Sequence, residues 1–120
     1  MSEQIPSIGR IVHYRLSADD AAQIMRRRTT GKSIADRMKL GVHAEVSPDD
    51  GAQAHIGNEV TKGDTFPMLI VRVWGPSAKS AVNGQVFLDS NDVFWATSRK
   101  VGDQPGTFSW PVRRVHFQFT

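Results

Sequence analysis

Gln85-Val86-Phe87-Leu88-Asp89-Ser90-Asn91-Asp92-Val93-Phe94-Trp95-Ala96-Thr97-Ser98 is the stretch that decides the fold. Two runs rich in β-branched and aromatic residues flank four residues whose short side chains bond their own backbone in turns. That is a hairpin pattern. Upstream, Met68 to Trp74 has the same character and ends at Gly75-Pro76. Between them, Asn83-Gly84 accepts the positive φ angles of a type I′ turn and predicts another hairpin. Downstream, Gly102-Asp103-Gln104-Pro105-Gly106 turns into a strand over Thr107-Phe108-Ser109-Trp110, and Val115-His116-Phe117-Gln118-Phe119 alternates apolar and polar residues.

Nearer the N-terminus, Ile8 to Leu16 reads as the first strand, with Ile8, Arg10, Val12, Tyr14 and Leu16 on one side and Ile11, His13 and Arg15 on the other. Ser17 can cap a helix, Asp19 and Asp20 suit its positive end, and Arg26-Arg27-Arg28 suits a negative last turn. Thr29-Thr30-Gly31 predicts a break, and Ser33 to Leu40 a second short helix stopping at Gly41. From Ser47 to Asp64 the chain is polar and loop-like. The expectation is a mainly β (α+β) single domain over residues 1–120. It would be a small antiparallel barrel or curled sheet, with an inserted pair of short helices over about 17–41.

Bulk properties fit one soluble globular domain. The chain has 120 residues, 39% hydrophobic and 22% charged, a size at which one core suffices. The absence of cysteine excludes disulfides, thiolate metal sites and a cysteine nucleophile. No apolar run approaches the ~20 residues of a membrane span, and Met1 to Pro6 lacks the layout of a secretion signal, so no membrane role and a cytoplasmic location are expected. A net charge of +3 admits an anionic partner without requiring one.

Catalytic constellations find little support. His13, His43, His55 and His116 have no metal-ligand spacing, so neither a metal nor another cofactor is expected. The acidic pairs Asp19-Asp20, Asp49-Asp50 and Asp89/Asp92 are accounted for by capping and turn chemistry. Ser90, Ser98 and Ser109 lack a nucleophile-elbow context. Gly31-Lys32-Ser33 has the tail of a phosphate loop without its upstream glycine or its strand, which argues against an NTPase. The chain reads as non-enzymatic. The tryptophans carry more information: Trp74, Trp95 and Trp110 fall at or near strand ends, where a flat ring can stack on a base. Together with Tyr14, Arg72, Asn83, Asn91, Ser98 and Arg99 they form the candidate ligand-binding set.

Gly9-Arg10-Ile11-Val12-His13-Tyr14, Ala54-His55-Ile56-Gly57-Asn58-Glu59, Val82 to Ser98 and Gly106-Thr107-Phe108-Ser109-Trp110-Pro111 resemble a group of small bacteriophage and prophage proteins. Those pair an opening G-R-I-V-H-Y strand with a closing aromatic-x-W-P segment. In size and β-rich character the chain is also similar to phage anti-defence sponges, which sequester nucleotide signals of bacterial immunity. The resemblance implies a phage accessory protein in the cytoplasm of the bacterial host. It would bind a small anionic, nucleotide-like molecule, sequester an immune signal and form a homo-oligomer. The alternative is a protein-interaction module, either a host-protein inhibitor or a minor virion component. Nucleic-acid binding through Arg26 to Arg28 and Arg113-Arg114 ranks behind both.

Overall fold

The first strand is short because the chain turns before it. In the computed structural model, which describes residues 3–39 and 56–112, Arg10 N donates to Ser7 O at 3.3 Å around Gly9, whose φ of +92° favours glycine. Strand β1 therefore covers Ile11–Arg15 rather than Ile8 to Leu16. Val12, Tyr14 and Leu16 are buried as their alternation requires, whereas Ile8 and Arg10 lie exposed ahead of the strand.

Helix α1 follows, Ala18–Lys39. Its start is a reciprocal capping box: Asp20 N donates to Ser17 Oγ at 3.0 Å, and Ser17 N donates to Asp20 Oδ2 at 3.0 Å. The expected pair of short helices is corrected here to one continuous helix of 22 residues. A glycine inside a helix costs only about 1 kcal/mol relative to alanine, so Gly31 weakens the helix without stopping it. Ala21, Ile24 and Arg28 are buried and Met25 partly so, the i, i+3, i+4, i+7 spacing of one helix face.

Strands β2 (Thr65–Val73), β3 (Val82–Phe87), β4 (Val93–Arg99) and β5 (Phe108–Ser109) complete the fold. All ladders are antiparallel, in the order β4-β3-β2-β1-β5. The architecture is thus mainly β, a curled five-stranded sheet with a helix. The sheet is not closed: among the described residues, its two ends meet only at the bridge between Val101 and Phe108, where Phe108 N donates to Lys100 O at 3.1 Å. Met68, Ile70, Val86, Phe94 and Ala96 point inward and form the core with Val12, Tyr14, Leu16, Phe108 and the helix residues Ala21 and Ile24.

The hairpin expected at Asn83-Gly84 does not form there. Both residues lie inside β3, with Gly84 opposite Ile70 and Ala96. A Cβ on Gly84 would collide with the Met68 side chain and stand 3.0 Å from Leu69 O, so close packing, not a turn, explains this glycine. The true β2–β3 connection passes through Gly75-Pro76 and is closed by Trp74 N donating to Ala81 O at 2.9 Å. The expected turn over Asp89 to Asp92 does join β3 to β4.

Arg26-Arg27-Arg28 sits in mid-helix, not at a helix end. Arg28 is buried, donates to Asn58 O and pairs with Asp92 at 3.6 Å, while Arg27 reaches the other Asp92 oxygen at 3.0 Å. Ser90 Oγ also donates to Asp92. This clamp fastens α1 to the β3–β4 turn. It leaves no space at Gly57, where a Cβ would meet Ser90 and lie 2.9 Å from the Arg28 guanidinium. No helix of the described residues is long and apolar enough to cross a membrane. The segments around His43, His55 and Asp49-Asp50, and the alternating stretch Val115 to Phe119 with His116 and Arg113-Arg114, lie outside the described residues.

Candidate functional site

Two register shifts stand side by side in the sheet, one between Ile70 and Arg72 of β2, the other between Val82 and Gly84 of β3. A bulge re-aims the side chains next to it. Here the shifts set Arg72 opposite Asn83 on the face away from α1 and bring Trp74 over the same spot. The Trp74 indole Nε1–H donates to Asn83 Oδ1 at 3.1 Å, and the same oxygen accepts from Ser98 N at 2.8 Å. Ser98 has a φ of +57°, a left-handed conformation in which non-glycine residues are uncommon. The strain and the hydrogen bond together aim its amide at Asn83.

Asn83 is only 8% exposed, yet Trp74, which it anchors, is 54% exposed. The Arg72 guanidinium lies over the Trp74 ring, 4.1 Å from its centroid. Among the described residues Arg72 makes no ion pair. The result is an aromatic plate with a fixed orientation, a cation at its face and open solvent around more than half of it. A tryptophan placed only to fill the core would be covered.

Arg72, Trp74, Asn83 and Ser98 are therefore brought together, four of the nine candidate residues. Trp95 is on the same outer face, 62% exposed, beside a groove of about 310 Å³ lined by Gln23, Arg26, Arg27 and Phe94. Trp110 is elsewhere: half-buried, edge-on to Phe108 with centroids 6.1 Å apart, under Arg10 at 4.7 Å, and beside a separate groove of about 270 Å³ with Lys79 and Val101.

Three candidates are set apart from this cluster by their surroundings. Tyr14 is fully buried and its hydroxyl donates to Asp20, so it has no surface to offer a ligand. Arg99 turns inward to Asp20 at 2.9 Å, with its guanidinium 5.7 Å from the Tyr14 ring centroid. Burial, reinforced by the Asp20 hydrogen bond and charge, holds the Tyr14 hydroxyl well above the ordinary tyrosine range. Asn91 lies at the opposite end of β3, where its side-chain oxygen accepts from Ile56 N at 3.0 Å.

Sequence reasoning missed the partner of Arg10 and the outward row Ile11, Leu69, Gln85 and Trp95 that crosses four strands. Strand alternation was the available signal for that row; its alignment needed the register. Among the described residues no three histidine or carboxylate side chains stand close enough to hold a metal ion. Comparison with protein-family models, curated proteins and solved structures gives no match.

Proposed function

We propose that this chain is a non-enzymatic binding protein for a small, planar, anionic ligand of the nucleotide type, held at the Trp74 plate. One observation carries the reading: an exposed tryptophan is held in place by a buried asparagine while an arginine without an ion-pair partner among the described residues lies over its ring. A base would stack on the indole, an interaction worth about 1–3 kcal/mol and tolerant of base identity. Arg72 would supply charge-assisted hydrogen bonds to a phosphate, the geometry in which a planar guanidinium excels. Fixing Trp74 before the ligand arrives lowers the ordering cost of binding.

The resemblance of Gly9 to Tyr14 and Gly106 to Pro111 to phage proteins extends this reading to a role: a phage accessory protein, in the host cytoplasm, that sequesters a nucleotide immune signal. The test is isothermal titration with a panel of cyclic nucleotides and ADP-ribose derivatives, followed by heat release and mass analysis of the bound molecule. The reading expects one panel member to bind, to emerge intact, and to lose at least tenfold in affinity to Trp74→Ala and to Arg72→Ala. Chemical alteration of the ligand would contradict the non-enzymatic assignment. Absence of binding across the panel would overturn the reading altogether.

A further inference from the structure

Among the described residues, the face of the sheet turned away from α1 is apolar and largely exposed. Ile11, Leu69, Gln85 and Trp95 align across β1, β2, β3 and β4, and the next row sets Phe87 opposite Val93. Exposure reaches 55% at Ile11, 43% at Phe87 and 62% at Trp95. Strands β1 to β4 contain no Asp, Glu or Lys at any position; their charged residues are arginines. Aromatics and arginine with few carboxylates and lysines is the composition of a protein interface core, not of a solvated sheet face.

We propose that this outer face is the contact through which two copies of the chain pack sheet to sheet as a two-fold dimer. Area supports the second copy. A large aromatic side chain presents roughly 150–250 Å², so the exposed portions of the apolar side chains on this face come to roughly 600 Å². That approaches the ~800 Å² per partner of a standard interface, and lies at the upper end of the ~300–600 Å² of the largest apolar patch on a typical monomer, a size that often marks a contact surface. Charge supports it as well. The chain carries +3 overall, but this face holds no carboxylate or lysine from its four strands, and Arg72 at one end lies over Trp74. Two copies can therefore meet through the centre of the face with little like-charge repulsion. Twisted antiparallel sheets pack face to face about 10 Å apart with their strands near −30°, a geometry a two-fold axis can satisfy. The inference is independent of the ligand proposal, because the Trp74 plate lies at the end of the face and not in its central rows.

Sedimentation velocity from about 1 to 100 µM tests it. The wild type is expected to sediment at twice the 13.3 kDa chain mass at the upper concentrations. Phe87→Lys is expected to weaken association at least tenfold while leaving the far-ultraviolet circular dichroism unchanged, since Phe87 points away from the core. The milder Phe87→Ser/Trp95→Ser pair serves if the lysine variant fails to fold, and is expected to shift the equilibrium the same way. A wild type that stays monomeric at 100 µM overturns the proposal and leaves the face to a foreign protein. A dimer that persists unweakened in a folded variant overturns it too, because the contact would then lie elsewhere.

Discussion

The Tyr14 hydroxyl donates to Asp20 across the seam between β1 and α1, and both residues are fully buried. Asp20 collects three further interactions: it accepts from Ser17 N, its own amide donates to Ser17 Oγ, and it pairs with Arg99. One carboxylate thus ties the first strand, the helix start and the end of β4 together. Removing a donor from a buried charged acceptor costs about 1–3 kcal/mol. Tyr14→Phe is expected to lose that much in urea unfolding while keeping its fold.

The same contact fixes a dependence on pH. Burial and Asp20 raise the folded-state pKa of Tyr14 above its unfolded value, so the native state holds the proton longer. This contribution to stability is complete below the ordinary tyrosine value of about 10 and is lost as pH rises beyond it. Because Tyr14 is the only tyrosine of the chain, absorbance near 295 nm reports it alone. Tyrosinate is expected to appear near pH 10 in denaturant and only at clearly higher pH in the native protein. A shared midpoint would show that the hydroxyl is not buried against Asp20.

Asp92 is the second junction. Its side chain is 6% exposed and faces Arg28, itself 7% exposed, and the more open Arg27. Breaking a buried pair from one side leaves an uncompensated charge, a loss of about 3–5 kcal/mol. Asp92→Ala is expected to fall in that range, and Arg27→Ala to cost about 1 kcal/mol or less, as exposed pairs do. Chemical denaturation of the two variants decides whether α1 is clamped to the β3–β4 turn as described.

Gly84→Ala should cost about 1–3 kcal/mol through overpacking against Met68. Met68→Ala alone should cost about 2–5 kcal/mol through its cavity. Since the two occupy the same space, the double variant is expected to lose clearly less than the sum. Additive losses would mean that Gly84 serves the backbone and not the packing.

Local signals and long-range ones were legible to different degrees. The inward set Val12, Tyr14 and Leu16 and the turn at Asp89 to Asp92 follow from alternation and turn chemistry, which neighbours in sequence determine. Asn83-Gly84 misled for a physical reason: the pair is competent to turn, but Met68 needs the glycine's missing Cβ. Gly31 misled because a helix tolerates one weak position, and the turns ahead of it are held by the Ser17 cap and the buried Ala21, Ile24 and Arg28. The Arg28–Asp92 and Tyr14–Asp20–Arg99 contacts join residues up to 79 positions apart, and no local pattern announces them. The Trp74 plate was half visible. Its residue types could be named, but its assembly depends on two adjacent register shifts.

Nitrogen-15 NMR of the Trp indoles tests the central claim most directly, because three tryptophans give three separate side-chain N–H signals. Titrating the nucleotide panel into the labelled protein is expected to move the Trp74 indole signal and the Ser98 amide, which share Asn83 Oδ1. The Trp110 signal should stay in place, and the Trp74 response should vanish in Arg72→Ala or shrink at least tenfold in apparent affinity. A titration that shifts Trp110 and leaves Trp74 still, or that shifts none of the three, would contradict the account.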